Sequence, residues 1–186
     1  MILTGEQLLD LIKQGVINAD PKNVNASSID VTLSDMIMVE DALTDKPLVC
    51  IADGESPAFI PIRMGEQGMI IQSGQCFLAS TNETFNLPNN ISAEFITRSS
   101  IGRCFLEHMK SGWIDAGFNG QITLELVNML QSHEILITPN LRIGQVVFHR
   151  HNMVDKEHSY ATKGNYNGQQ GPTKAFGGKN ANVSAS

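Results

Sequence analysis

The chain has 186 residues, room for one domain with a core of its own. Its net charge of -6 disfavours a role in coating nucleic acid, because a phosphate backbone rewards clustered Lys and Arg; a small anionic ligand still fits if positive groups are gathered locally. Cys50, Cys76 and Cys104 stand far apart with no CxxC pair, which argues against a cysteine-based zinc site and a disulfide framework and fits a reducing cytoplasm.

The opening MILTGEQLLDLIKQG carries acidic groups and an amphipathic pattern instead of a basic region and a long apolar run. Neither a secretion signal nor a membrane span is expected there. Thr4 is placed to cap a short helix with the stripe Leu8, Leu9, Leu11, Ile12 and Val16, ended by Gly15. Residues 23–28 suit a turn, and residues 28–33 alternate as a strand with Asp30 on a polar face beside Ser28 and Thr32. The runs MIMVE, PLVCIAD and AFIPIR, separated by Asp, Gly and Pro, predict an antiparallel meander, and Pro57 and Pro61 mark edges or bends. GMIIQSGQCFLAST predicts two strands about a Ser-Gly turn, followed by a loop over residues 86–90 and a strand over residues 91–97.

Residues 97–130 concentrate the chemistry. Arg98, Ser99, Ser100 and Arg103 supply two guanidinium forks and two hydroxyls at a strand end, an inventory suited to gripping phosphate or steadying a polarised water. Glycines 112, 117 and 120 bend the chain and present Asp115 at a rim, while Trp113, the one tryptophan, is expected in the core or a subunit interface. Ile122, Leu124 and Leu126 then alternate with Thr123, Glu125 and Val127, so Glu125 lies on the face opposite the aliphatics. If that face is covered too, desolvation raises the carboxyl toward the range useful for proton transfer. His108, among five histidines without ligand spacing, is expected to be structural.

Residues 131–134 turn the chain, EILITPN runs to a Pro-Asn bend, and residues 141–148 form the last strand. Beyond His149 the apolar content falls, which divides the chain into a domain over residues 1–155 and a flexible tail over residues 156–186. Many short strands, one N-terminal helix and a loose tail predict an all-β sandwich or barrel.

The set Arg98-Ser99-Ser100-Ile101-Gly102-Arg103, then GWIDAGF with Gln121-Ile122-Thr123-Leu124-Glu125-Leu126, then Arg142-Ile143-Gly144-Gln145 resembles the dCTP deaminase family of the dUTPase-like fold. The opening residues, Ser28-Ile29-Asp30 and the tail run NGQQGPT extend the resemblance over nearly the whole chain, most weakly over residues 35–70. It implies a distorted β-barrel subunit in a homotrimer with active sites between subunits, acting on a small nucleotide and not on nucleic acid or a membrane. It also implies that Glu125 shuttles protons, that Ser99 and Arg103 orient the water and the ring, and that Arg98, Ser99 and Ser100, with the Ile101-Gly102 turn between them and Arg103, hold the triphosphate. Asp115 would meet the deoxyribose 3′-hydroxyl, the backbone of Thr123 and Leu124 would read the pyrimidine edge, and Gln145, Tyr160 and Gln169 would contact nucleotide. Mg2+ is expected on the phosphates, and zinc is not, because zinc deaminases need His or Cys ligands and a CxxC.

Two positions depart from the family. His108 is followed by Met109-Lys110-Ser111 where the family carries Thr-Ala after one intervening residue, and the tail lysine position holds Asn165, with Lys163 two residues earlier as its substitute. Three readings follow: a dCTP deaminase giving dUTP and ammonia; a dUMP-forming bifunctional enzyme or a dUTPase, which the GWIDAGF segment and Lys110-Ser111 bring forward; and a non-catalytic trimeric nucleotide-binding module.

Overall fold

A computed structural model describes residues 1–175; the part of the expected tail over residues 176–186 lies outside the described residues. Helix α1 (Gly5–Lys13) begins where expected. The Thr4 backbone N–H donates to Gln7 Oε1 at 3.0 Å, one arm of a capping box, and Gly15 just past the end takes φ +72, a left-handed conformation without steric cost for glycine. Leu8 and Leu11 bury one face of α1, and Lys13 and Asp10 pair at 3.2 Å on the other.

The strands are β1 (Ile17–Asn18), β2 (Ile29–Glu40), β3 (Phe59–Arg63), β4 (Met69–Ile71), β5 (Cys76–Asn86), β6 (Ile91–Thr97), β7 (Leu106–His108), β8 (Trp113–Ile114), β9 (Asn119–Asn128), β10 (Ile135–Ile137) and β11 (Arg142–Arg150). A single-turn helix α2 (Ser99–Gly102) follows β6, and another, α3 (Tyr160–Lys163), follows β11. Nine strands form one sheet along the path β7-β9-β5-β2-β11-β6-β8, with β1 beside β5 and β3 beside β2; every strand pair in it is antiparallel. The all-β class with an N-terminal helix therefore holds. The expected distorted barrel takes the form of an antiparallel half-barrel: among the described residues no strand pair joins β7 to β8.

Three local expectations change. MIMVE is not a separate strand but the second half of β2, carried past a register shift between Leu33 and Ile37 where the Ser34 hydroxyl accepts from the Met36 N–H at 3.2 Å and meets Ser80 Oγ at 2.9 Å. PLVCIAD is not a strand. Glu55 gathers this stretch into a loop by accepting from the Cys50 N–H at 2.9 Å and from Lys46, and Ile51–Asp53 makes one 3-10 turn. Finally, β4 and β5 do flank the Ser-Gly turn but do not pair with each other. β4 pairs with β10, β5 lies between β2 and β9, and the turn is tied by the Gly74 N–H to the Asn128 carbonyl at 2.8 Å.

The core lies against the inner face of the large sheet. Ile122, Leu124 and Leu126 of β9 meet Phe77 and Ala79 of β5, Val31 and Leu33 of β2, and Val146 and Phe148 of β11, all buried. Burial contributes about 1.5–3 kcal/mol for each large aliphatic or aromatic side chain. No helix among the described residues is long and apolar enough to cross a membrane.

β5 carries a second irregularity, between Ser80 and Thr84, where the Thr81 side chain replaces a ladder partner by accepting from the Ile122 N–H at 3.1 Å. The bulge turns Glu83 inward, 6% exposed, where it accepts from the Thr32 N–H and hydroxyl at 2.9 Å each. Burial pushes the Glu83 carboxyl above its usual range, and the two hydrogen bonds only partly oppose this. The native state then holds this proton more tightly than the unfolded chain. Its stabilising effect is full below the ordinary carboxylate range and is lost as pH rises through the raised value. Glu83→Gln cannot ionise and can still accept from the Thr32 N–H while donating to the hydroxyl. The variant is expected to lose part of the wild type's fall in thermal midpoint between about pH 5 and pH 8; superimposable profiles would show that Glu83 does not titrate across unfolding.

Candidate active site

One cavity of about 470 Å³ opens between β9, the turn that precedes it and the C-terminal segment. Thr123 and Glu125 line it because they lie on the face of β9 opposite the buried aliphatics. Asp115, Phe118 and Tyr160 form a second wall, and Ser56, Pro57 and Phe59 a third. The turn depends on Gly117 and Gly120 at φ +88 and +130; a Cβ on Gly117 would fall 2.1 Å from Ser159 Oγ and one on Gly120 2.7 Å from the Gln169 carbonyl oxygen. Phe118 packs on Tyr160 with ring centroids 5.7 Å apart. Burial pushes the Tyr160 phenol up, with the nearby Asp115 charge adding in the same direction, so Tyr160 stays a neutral hydrogen-bonding group.

Glu125 is partly open to the cavity, with 34% of its side chain exposed. Its Oε2 is buried and lies 3.1 Å from His108 Nε2, at ion-pair distance but without the alignment of a hydrogen bond, and no other group among the described residues bonds it. His108 is sealed beneath, edge-on to Phe95 at 4.8 Å. The strand turns the backbone groups of Gln121, Thr123 and Glu125 toward one edge. The Glu125 carbonyl there accepts from the Met109 N–H at 2.9 Å, and the Gln121 N–H donates to the Gln169 carbonyl at 3.1 Å. Thr123 stands between these two joints. The Leu124 side chain is fully buried and its backbone faces β5.

The segment from Asn167 to Thr173 runs along this edge. Gly120 and Gln169 form a parallel bridge, Gln169 Nε2 donates to the Gln121 carbonyl at 2.6 Å, the Gly171 N–H to Gln121 Oε1 at 2.5 Å, and the Thr173 N–H to Thr123 Oγ1 at 3.1 Å. A smaller cavity of about 390 Å³ adjoins the first, sharing Asp115, Tyr160 and Tyr166 and adding His158, Lys163 and Asn165. Both the position that departs from the family lysine and its neighbour Lys163 therefore face the same space.

The arginine and serine cluster lies elsewhere. Arg98 is ion-paired with Asp30, itself 6% exposed, and Arg142 Nη1 approaches the same carboxylate at 3.7 Å while Asn25 Nδ2 donates to it at 3.0 Å. Gln145, opposite Asp30 across the β2–β11 ladder, accepts from the Ser28 hydroxyl at 3.1 Å. Ser99 and Ser100 on α2 and Arg103 just past its end are exposed, with Ile101 and Gly102 half-buried between them. None of these residues lines the Glu125 cavity.

The chain thus brings Asp115, Thr123, Glu125, Tyr160 and Gln169 together and holds Arg98, Ser99, Ser100, Arg103 and Gln145 in a separate group. Asp30 and Arg142 join that second group. The polar face of residues 28–32 was legible in the alternation, but its burial against two arginines depends on β6 and β11, distant in sequence. Of the two positions expected for Trp113, the core of its own chain is not the one it takes: it is 57% exposed at the cavity mouth, because β8 is a two-residue edge strand, which leaves the subunit interface. Ser111 also lines the cavity, and Lys110 before it takes φ +63, a left-handed conformation uncommon outside glycine.

The crystal structure of 2′-deoxycytidine 5′-triphosphate deaminase from Agrobacterium tumefaciens superposes with a TM-score of 0.64 at 19% identity, over 86% of this chain and 51% of that one. The likeness places the half-barrel in the dUTPase-like fold. The sequence profile described as dCTP deaminase-like matches residues 2–151, and the chain belongs to that family. Among its relatives, proteins named dCTP deaminase, dUMP-forming, are 39% identical over 151 residues in Hydrogenobaculum sp. (strain Y04AAS1), covering 80% of this chain and 81% of that one, and 36% identical over 183 residues in Sulfurihydrogenibium sp. (strain YO3AOP1), covering 93% and 95%. A third of the same name, from Methanosphaerula palustris, is 33% identical over 180 residues and covers 93% and 94%.

Removing Asp30 leaves two guanidinium groups facing each other at a mostly buried point. Asp30→Ala is expected to destabilise the fold by about 1–3 kcal/mol, below the usual cost of breaking a buried pair because Arg98 keeps some access to water. Arg142→Ala, at a longer and more exposed contact, should change stability much less. Urea midpoints of the two variants check the order, and equal losses would mean that the Arg142 contact, not the Arg98 pair, carries the stabilisation at Asp30.

Proposed function

We propose that the chain deaminates dCTP and carries the product on to dUMP, with Glu125 as the proton carrier. The observation that carries this is the Glu125 carboxylate on the wall of a nucleotide-sized cavity, with one buried oxygen that no hydrogen bond from the described residues occupies. Water adds at the amino-bearing carbon of the cytosine ring and gives a proton to Glu125. Glu125 delivers it to the departing amine, so that dCTP and water yield dUTP and ammonia. Attack of a second water on the α-phosphate then gives dUMP and pyrophosphate. Release of dUTP came first among the expectations from the residues; the names of the relatives favour the dUMP-forming alternative.

Thr123 offers the backbone edge for the base, Asp115 an acceptor for the 3′-hydroxyl, and Tyr160 and Phe118 a packed wall for the sugar. The positive grip for the triphosphate, Arg98, Ser99, Ser100 and Arg103, does not reach this cavity on its own chain. A second copy supplying it fits a homotrimer with sites between subunits. Mg2+ fits as a companion of the triphosphate: no three His, Cys, Asp or Glu among the described residues are grouped to hold a metal, so phosphate oxygens and water would be its main ligands. When bound, it neutralises phosphate charge.

Purified protein with Mg2+ and dCTP is expected to release ammonia and accumulate dUMP, resolved by chromatography; dUTP as the end product would leave deamination alone, and hydrolysis of added dUTP without ammonia from dCTP would sink the deaminase reading. Glu125→Gln should lower ammonia release by about 10²–10⁴-fold while nucleotide binding stays measurable. Retained turnover would remove Glu125 from the mechanism.

Truncation after Lys163 removes the hydrogen bonds that run along β9. It is expected to raise the KM for dCTP about tenfold or more with the thermal midpoint nearly unchanged. Unaltered kinetics would reduce the segment to a linker.

A further inference from the structure

Asp115 stands where the two cavities meet, and its side chain is not left to rotate. Its Oδ1 accepts a hydrogen bond from the Trp113 indole N–H at 3.0 Å. The indole nitrogen can only donate, so the pairing fixes Asp115 as the acceptor. Trp113 is itself held from two directions. β8 pairs with β6 through Trp113 opposite Glu94 and Ile114 opposite Ala93, and the His149 ring of β11 lies against the indole at 5.8 Å with an interplanar angle of 34°. A large aromatic side chain 57% exposed at a cavity mouth gains much less from burial than one in the core, which leaves its donor as the feature that a smaller residue would not supply.

We propose that Trp113 is a positioning residue for Asp115: its N–H engages Oδ1, sets the plane of the carboxylate and leaves Oδ2 to accept the 3′-hydroxyl of the bound deoxynucleotide. This rests on the assignment of Asp115 to that hydroxyl above. The sugar contact is remote from the reacting carbon and is made equally before and during the reaction. Its loss therefore belongs in KM, with kcat held.

The test compares dCTP with 2′,3′-dideoxycytidine triphosphate in steady-state kinetics for the wild type, Trp113→Phe, Asp115→Asn and the double variant. Phenylalanine keeps an aromatic ring and loses the donor. Trp113→Phe is expected to raise KM for dCTP about fivefold and to leave KM for the dideoxy analogue unchanged, which also controls for folding. The double variant should be no worse than Asp115→Asn alone. Equal rises in KM for both nucleotides, or additive effects of the two substitutions, would assign Trp113 to packing and overturn the proposal while leaving the deaminase reading intact. A wild type that does not distinguish the two nucleotides would overturn the hydroxyl assignment and the proposal with it. Conversely, tighter equilibrium binding of dCTP than of the analogue, narrowed by Trp113→Phe in a protein that releases no ammonia, would sustain the proposal and remove the activity.

Discussion

Strand β9 has two faces and two edges, and each has a different duty. One face fills the core with Ile122, Leu124 and Leu126; the other presents Thr123 and Glu125 to the cavity. One edge is locked into the ladder with β5, while the other is shared between β7 and the C-terminal segment. Because side chains alternate strictly, a shift of one residue would put Glu125 into the core and an aliphatic into the cavity. The Thr81 contact to the Ile122 N–H at the β5 bulge and the Asn128 side chain, which donates to the Ile71 and His133 carbonyls at 3.0 Å each, pin the register at both ends.

The half-barrel buries two carboxylates, Asp30 on β2 and Glu83 on β5, by opposite means. Asp30 is met by two arginines and an asparagine amide. Glu83 has only neutral donors from Thr32, and burial raises its proton affinity. The difference follows from position. Asp30 lies beside the strand ends that carry Arg98 and Arg142, whereas Glu83 is folded inward by a bulge with no cation within reach of a hydrogen bond or ion pair among the described residues.

Much of this was legible in local pattern. The cap at Thr4, the stop at Gly15, the alternation around Glu125 and the glycine turn before β9 are properties of short windows, and the structure keeps them. The dUTPase-like fold and the family were legible in the order and spacing of several such windows together. What was not legible depends on partners far along the chain. The apolar run PLVCIAD resembles a strand but is drawn into a loop by Glu55, and β4 finds β10 instead of its neighbour β5. For Trp113 residue type left core and subunit interface open, and it is the shortness of β8 that puts it at a cavity mouth and not in the core of its own chain. Asp30 showed its polar face without the arginines that make that face a buried one.

The separation of the two clusters has its own logic. A guanidinium beside Glu125 on the same chain would pair with it in the empty site and occupy the oxygens that must meet water and the base. Arg98 is instead occupied by Asp30, and Glu125 has only His108 beneath it and the cavity in front. In the proposed assembly a neighbouring copy would bring the arginine and serine cluster to the nucleotide once the subunits meet. The groups that grip the anion and the carboxylate that moves the proton would then be contributed by different chains, so that neither pairs with the other before the nucleotide arrives.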